Sequence, residues 1–258
     1  MSGWRGGWRG LIVPAVLLLL GEAAFRVFGY VGDTLAPPSA IFRGFAEAIG
    51  DGTMVATTLQ TFATVLGGTV LGAVFGVVVG CALGFWNLLY RFAYITIECL
   101  RPIPSVALLP LSLMIFGFGY KMEIAIVGFA TAWPFLILTY SAISQVEPRL
   151  LEVAKVFGFG PFQTAWKLVL PAAAPRLMTA LRLCIGIALV VAVTTEIVSN
   201  PQGLGHELMI AQETLRPHRM LAYLVLVGVI GWGLNNLLLA LQSWMFRHRG
   251  EIDTEVAA

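Results

Sequence analysis

The sequence predicts an all-α membrane protein of about six transmembrane helices, with a helical cytoplasmic loop between the fourth and the fifth. Of its 258 residues, 58% are hydrophobic and only 12% are charged, whereas a soluble domain carries about 25% charged residues. The apolar residues gather in segments that approach the ~20 residues a helix needs to cross a bilayer. No segment shows the polar–apolar alternation that a membrane β-barrel requires.

Six segments are predicted to span the membrane: about 11–29, 62–84, 104–118, 122–143, 177–198 and 220–246. The third is short, and we expect it to begin earlier, within 88–103. The first follows Arg5 and Arg9 as a signal peptide would. It continues through Phe28 without a cleavage site of small residues, so we interpret it as a retained span.

The Lys and Arg residues of the loops predict the orientation, because cytoplasmic loops carry the excess of positive charge. With both termini inside, ten basic residues lie in inner segments and five in outer segments, and Arg101 is undecided. This places 144–176 in the cytoplasm. The chain then divides into a cytoplasmic N-terminus (1–10), one membrane domain (11–246) and a cytoplasmic tail (247–258).

The second span carries glycines at every fourth position, which removes side-chain bulk along one helical ridge. They are Gly68, Gly72, Gly76, Gly80 and Gly84. Such a row predicts a close helix contact inside the subunit. A seam between two copies or a moving interface is the alternative.

A short amphipathic helix is predicted after Pro37 and Pro38, because Ile41, Phe45 and Ile49 recur there at helical spacing. The helix either lies in the membrane interface or packs on the bundle. The sequence leaves both alternatives open.

Several function classes are disfavoured by composition. The net charge of +2 gives no basic field for nucleic acid. The three cysteines and three histidines are scattered, without disulfide or metal-ligand spacing. None of the three lysines completes the Gly-Lys-Ser/Thr end of a phosphate-binding loop. We therefore predict no catalytic residue and no metal site in this chain.

Residues 144–176 are predicted to form two short helices. Pro148 suits a first helical turn, and Gly158 and Gly160 can end that helix. Pro161 then begins a second helix that Pro171 limits. A plain connection between spans needs only a few residues. This loop is therefore predicted to dock a partner.

The spacing within this loop resembles the cytoplasmic signature of bacterial ABC importer permeases: Glu-Ala-Ala, three residues, Gly, nine residues, Ile-x-Leu-Pro. The chain has Glu152-Val153-Ala154, Gly158 and Leu168-Val169-Leu170-Pro171 at the same intervals. Val153 and Leu168 are apolar replacements. Other segments resemble the nitrate/sulfonate/taurine branch of these permeases; they are 57–59, 101–104, 107–111, 116–119 and 203–205.

The resemblance implies a permease subunit of the bacterial inner membrane that works by alternating access and is not itself an enzyme. It implies cytoplasmic ABC ATPase subunits that bind ATP and Mg, a periplasmic or lipid-anchored substrate-binding protein and a second permease copy, as a homodimer in membrane lipid. No cofactor is expected in this chain. The residues implied to contact the ATPase are Glu152, Ala154, Gly158, Leu170 and Pro171.

Two charged residues are candidates for the substrate pathway or its gate. Glu196 lies near the outer end of the fifth span, where a carboxylate is costly unless it faces protein or water. It either lines the pathway or is solvated at the outer surface. Arg101 either attracts an anionic substrate or anchors the chain at the membrane interface.

The resemblance favours a small, anionic solute of the nitrate, sulfonate or taurine type. A vitamin precursor such as a thiamine pyrimidine is the alternative within the same transporter class. An ion-coupled secondary transporter would show inverted repeats and clustered membrane charges, and a membrane enzyme would need a nucleophile–base or metal constellation. Neither pattern is found in the sequence.

Overall fold

The computed structural model describes residues 7–28, 36–146, 152, 154 and 156–246. These residues form helices and no strand, which confirms the all-α prediction. The elements are α1 Gly7–Phe28, α2 Pro38–Gly50, α3 Thr53–Phe85, α4 Asn87–Leu100, a 3-10 turn Ser105–Leu108, α5 Leu109–Phe116, α6 Tyr120–Ser144, α7 Pro161–Thr164, a π-helical turn Ala165–Val169, α8 Leu170–Val198, α9 Leu204–Glu213 and α10 Pro217–Phe246. The predicted tail, 247–258, and part of the predicted N-terminus lie outside the described residues.

Four described helical segments are long and apolar enough to cross a membrane: α3, α6, Ala165–Val198 and α10. A fifth span is possible if α4 and Ser105–Phe116, which meet at 83°, cross together. The predicted bounds 104–118 cover only the second member of this bent pair, and the earlier start expected within 88–103 falls in α4. Pro102 and Pro104 lie at this break. They explain why the helix ends there, because proline disfavours a helical conformation in the residue before it. The count of six spans stays a prediction.

The glycine row of α3 packs against α6, so the predicted contact inside the subunit is confirmed. A Cβ added at Gly76 would lie 2.5 Å from Phe135 Cβ and 2.6 Å from the Ala132 carbonyl oxygen. The other four glycines meet α6 in the same way: Gly68 at Val127, Gly72 at Thr131, Gly80 at Leu136 and Thr139, and Gly84 at Ile143. The two backbones can approach only because these side chains are absent.

Helix α8 completes the core with a second row of small residues at every fourth position. These are Ala180, Cys184, Ala188 and Ala192, all of them buried. Cys184 and Ala180 pack on Phe135 of α6, and Ala188 and Ala192 pack with Val65 of α3. The core is therefore a three-helix contact of α3, α6 and α8.

Helix α2 packs on the start of α10 through Gly44 and Ala48, both buried. A Cβ at Gly44 would overlap the carbonyl of His218. The alternative of a helix packed on the bundle is therefore confirmed, while Phe42 and Ile49 remain exposed.

Contacts of Glu47 and Asp51 with the start of α10 hold α2 in this position. Glu47 accepts hydrogen bonds from Arg43 Nε at 2.9 Å and faces His218 Nε2 at 3.0 Å. Arg219 Nη2 lies 2.8 Å from Asp51 Oδ2. The hydrogen bonds from Arg43 and then His218 lower the pKa of Glu47, and those from the Thr53 hydroxyl and amide lower the pKa of Asp51.

Acidification is expected to loosen α2 from α10. A carboxylate whose folded pKa is lowered stabilises the fold above its unfolded pKa of about 4, and this stabilisation is lost as the pH falls through the folded value. Hydrogen exchange of 38–50, corrected for intrinsic rates, should therefore show less protection at about pH 3 than at about pH 6. In Glu47→Gln, protection should already be lower at pH 6 and should change less with pH. Equal pH dependence in both proteins would contradict the role of Glu47.

Candidate functional site

The described part of the predicted docking loop contains the end of its first helix. Glu152, Ala154 and Val156 are helical, and Gly158 has a φ of +67°. The Phe159 N–H donates to the Ala154 carbonyl at 2.9 Å, across the turn. This is the six-to-one bond of a glycine-terminated helix, in which the glycine takes the left-handed conformation. The prediction that Gly158 ends the helix is confirmed.

The second half of the loop differs from the prediction at Pro171. Helix α7 begins at Pro161 as expected, but Pro171 does not limit it. The chain continues through the π-helical turn into α8, and Pro171 lies in the first turn of α8. A proline is tolerated there because the N–H groups of a first turn need no helical acceptor.

An apolar and aromatic surface is exposed around this loop. Val156, Phe157 and Trp166 are 86%, 70% and 66% exposed. The Phe157 and Phe159 rings stack at 5.8 Å, and Lys167 Nζ lies 5.1 Å from the centre of the Phe159 ring. We call these five residues the loop patch. Exposed apolar patches of this kind mark interaction sites.

The five residues implied to contact the ATPase are, as a group, less exposed than the loop patch. Ala154 is buried, Leu170 and Pro171 are half-buried, and only Glu152 and Gly158 are exposed. The buried signature residues therefore shape the loop, and the outward surface is formed largely by residues between them. The sequence interpretation did not identify Trp166. Its signal was a tryptophan beside Lys167 in a segment predicted to face the cytoplasm.

Glu196 lies at the opposite end of α8 and is only 1% exposed. Its Oε1 accepts a hydrogen bond from the Thr61 hydroxyl at 2.7 Å, and its Oε2 accepts one from the Gly205 N–H at 2.8 Å. The alternative of a solvated Glu196 is therefore wrong. A role in the pathway or its gate stays a prediction.

A second buried carboxyl group, Glu123, lies in the same region and was missed by the sequence interpretation. The Thr64 hydroxyl donates to its Oε2 and the Asn200 amide to its Oε1. Asn200 Oδ1 in turn accepts from the Gly119 N–H at 2.9 Å. The signal was a lone glutamate inside the predicted span 122–143.

Two glycines, Gly203 and Gly205, allow the segment after α8 to approach Glu196 closely. Gly203 has a φ of +90°, and a Cβ there would overlap the Glu196 carboxylate. A Cβ at Gly205 would lie 2.8 Å from Glu196 Cβ. The Gly203 N–H donates to Gln60 Oε1 at 3.0 Å. We call the side chains that join α3, α6, α8 and α9 here the outer cluster: Gln60, Thr61, Thr64, Glu123, Glu196 and Asn200.

Arg101 is exposed at the end of α4, beside the break that precedes Ser105. Its position fits both alternatives, attraction of an anion and anchoring at the interface. Over the part of the chain that the structure describes, no group of three or more His, Cys, Asp or Glu residues could hold a metal ion.

Comparison with curated proteins gives relatives that are permeases. The chain is 30% identical over 229 residues to the putative aliphatic sulfonates transport permease protein SsuC of Bacillus subtilis, covering 88% of this chain and 83% of the relative. It is 29% identical over 223 residues to the taurine transport system permease protein TauC of Escherichia coli, covering 84% and 81%. The bicarbonate transport system permease protein CmpB of Synechococcus elongatus is 26% identical, with 95% and 93% covered.

Solved structures show the same fold at lower identity. The MetNI methionine ABC transporter in an inward-facing conformation matches with a TM-score of 0.59 and 21% identity, over 70% of this chain and 93% of that chain. An amino acid ABC transporter determined with histidines matches with a TM-score of 0.61 and 16% identity, over 79% and 97%.

The family described as binding-protein-dependent transport system inner membrane component matches residues 72–249, which include α6, the loop patch and three members of the outer cluster, Glu123, Glu196 and Asn200. This match covers more than half of the chain. The chain therefore belongs to this family of multi-pass ABC transporter permeases.

Proposed function

We propose that two copies of this chain form the translocation pathway of an ATP-driven importer for a small, oxyanionic solute, and that they work by alternating access. The named relatives support this solute class, because aliphatic sulfonates, taurine and bicarbonate all carry an oxyanionic group. A periplasmic or lipid-anchored binding protein delivers the solute. Both termini and the 144–176 loop face the cytoplasm of the bacterial cell.

The observation that carries the proposal is the loop patch. Phe157 and Trp166 expose large aromatic surfaces in a segment with the basic Lys167, beside the glycine turn of the family signature. Aromatic side chains of this kind anchor protein interfaces when a partner's groove buries them. The partner is a separate ATPase subunit, which binds ATP and Mg.

The coupling path runs from this patch to the outer end of the molecule. Ala165–Val198 is a continuous helical segment of 34 residues, which corresponds to about 50 Å at 1.5 Å per residue. It begins within the loop patch and carries Glu196 near its end. When the ATPase moves the patch, the segment transmits that movement across the membrane as a lever.

The Gly158 turn provides the direct test. Gly158→Ala must place a Cβ at a φ of +67°, at a cost of about 1 kcal/mol or more. We expect this variant to lower ATPase binding and ATP-driven uptake several-fold in proteoliposomes that contain the partner ATPase and binding protein. Gly160→Ala is the matched control, since no described atom lies within 4 Å of its added Cβ and its φ is not positive.

Equal activity of the Gly158 and Gly160 variants would contradict the coupling role of the turn. The solute class is tested in the same vesicles. Uptake of a sulfonate or bicarbonate, but not of a thiamine pyrimidine, is expected, and the reverse preference would overturn the solute assignment while leaving the coupling proposal intact.

A further inference from the structure

Arg182 is a basic residue inside a membrane-spanning helix. It lies near the middle of the 34-residue segment Ala165–Val198. It also lies within the predicted span 177–198, about 8 Å from the inner end of that span at 1.5 Å per residue. The other Lys and Arg residues of the four described spanning segments all precede the predicted spans; they are Lys121, Lys167, Arg176 and Arg219.

The helix next to Arg182 supports this depth. Ala180 and Cys184, two positions to either side of Arg182, pack on Phe135 of α6. Phe135 lies about 12 Å from residue 143, the predicted inner end of its own span, at 1.5 Å per residue. Both helices therefore place Arg182 in the inner half of the membrane.

The guanidinium of Arg182 has no counter-charge in the described part of the chain. No ion pair or side-chain hydrogen bond joins it to a described residue, whereas Arg176 donates to Gln145 Oε1 at 2.9 Å. Glu196, on the same helix, lies about 21 Å farther along the axis at 1.5 Å per residue. A charged side chain at membrane depth is costly unless it faces protein or water. We therefore expect Arg182 to face a water-filled space.

Arg182 lies on the face of α8 that is turned away from the core. Because it is two positions from both Ala180 and Cys184, it lies on the opposite side of a helix with 3.6 residues per turn. Thr179, one turn toward the cytoplasm, and Gly186, one turn deeper, are both exposed. No atom of another described residue packs within 4 Å of a Cβ added at Gly186. This face of α8 therefore combines a charge, a hydroxyl group and free space.

The exposed face of α3 is of a different kind. Its exposed residues between 63 and 78 are all apolar; they are Ala63, Leu66, Val70, Leu71, Val74, Phe75 and Val78. Such a surface suits contact with lipid. An arginine beside a hydroxyl group is instead typical of the wall of a water-filled space in a membrane protein.

We infer that Arg182 lines the inner half of the translocation pathway and binds the oxyanionic group of the solute as it passes. The inference rests on the proposed function, which supplies the pathway between two copies and the solute class. A guanidinium can donate two parallel N–H bonds to a carboxylate or a similar oxyanion. The apolar surroundings of the pathway strengthen this attraction. The absent side chain of Gly186 leaves room for the solute beside the guanidinium.

Thiol labelling at Gly186 tests the inference without measuring transport. Gly186→Cys is made in a chain without its three native cysteines, and the transporter, assembled with its ATPase, is placed in lipid nanodiscs, where reagents reach both membrane surfaces. Methanethiosulfonates modify a thiol where water reaches it, and they can carry a sulfonate or a quaternary ammonium group. After each rate is divided by that for a free thiol in water, the sulfonate reagent should react several-fold faster than the ammonium reagent.

The preference for the sulfonate reagent should depend on the charge of Arg182. It should disappear when Arg182→Gln is combined with Gly186→Cys, and it should persist with Arg182→Lys. Val74→Cys, which is 60% exposed on the apolar face of α3, is the lipid-facing control and should react with neither reagent. An arginine on a lipid-facing helix would extend along it to the inner headgroups, and lipid would then surround Gly186. An unreactive Gly186→Cys, or a preference that survives Arg182→Gln, would overturn the inference.

Uptake of an aliphatic sulfonate in proteoliposomes provides a second readout. Arg182→Gln should lower it at least about tenfold, because a hydrogen bond to a charged group contributes that much or more to binding, and Arg182→Lys should retain part of it. Arg91→Gln is the matched control, since Arg91 is also exposed in a segment predicted to face the cytoplasm but belongs to α4. Equal uptake by the two glutamine variants would contradict the inference. If the unaltered transporter takes up no oxyanion, the proposed solute class is wrong, and the labelling result still decides the position of Arg182.

Discussion

Replacing Phe157 and Trp166 together by serine is expected to abolish ATP-driven uptake while the chain still inserts and folds. Both side chains are mostly exposed, so the isolated permease loses little packing. In the assembled transporter, each large apolar side chain that a partner buries contributes about 1.5–3 kcal/mol. Losing two of them should lower ATPase affinity by well over tenfold, since about 1.4 kcal/mol corresponds to tenfold.

The measurement is binding of the partner ATPase to the purified permease, followed by uptake in proteoliposomes. Trp86→Ser is a matched control, because Trp86 is also exposed, at 63%, but lies between α3 and α4 outside the loop patch. Trp166→Phe should retain most of the binding, since it keeps an aromatic anchor. Unchanged ATPase affinity in the double serine variant would refute the role of the loop patch.

Replacing Gly76 by leucine is expected to prevent the formation of a stable bundle. Even the first carbon of the new side chain would lie 2.5 Å from Phe135 Cβ and 2.6 Å from the Ala132 carbonyl oxygen. Overpacking of a tight core costs about 1–3 kcal/mol and occasionally more. Here the clash is partly with the backbone of α6, which cannot move aside as a flexible side chain could. The detergent-extracted protein should aggregate or melt at a much lower temperature in a thermal-shift assay.

Gly228→Leu in α10 is the control for this change, because no atom of another described residue packs within 4 Å of a Cβ added at Gly228. Leucine also has a higher helix propensity than glycine by almost 1 kcal/mol. The Gly228 variant should therefore melt at or above the temperature of the unaltered chain. If both variants melt alike, the close contact of α3 and α6 does not limit stability.

The features that the sequence predicted correctly are local ones. A glycine at every fourth residue is visible from Gly68 to Gly84 of α3, and a close helix contact inside the subunit is predicted from it. The structure identifies α6 as the partner helix. Gly158 was predicted to end a helix because a left-handed turn favours glycine, and its φ of +67° agrees. The family signature added the spacing of the loop, which is also local.

The features that the sequence did not predict depend on residues far apart in the chain. Glu123 is buried because Thr64 and Asn200 reach it from α3 and from the end of α8. Pro102 and Pro104 are visible in the sequence at the break after α4, but the 83° angle depends on how α5 packs against Met122 and Ile126. The helix continues through Pro171 because a π-helical turn precedes it. No local sequence pattern predicts such a turn.

The loop patch is proposed to be a cytoplasmic surface that a separate ATPase subunit binds. Val156, which is 86% exposed, can be replaced by cysteine in a background without Cys81, Cys99 and Cys184. A membrane-impermeant maleimide should then label Val156→Cys in inside-out vesicles but not in intact right-side-out vesicles, and the partner ATPase should protect it. Labelling only from the outside, or equal labelling with and without a bound and active ATPase, would contradict the account.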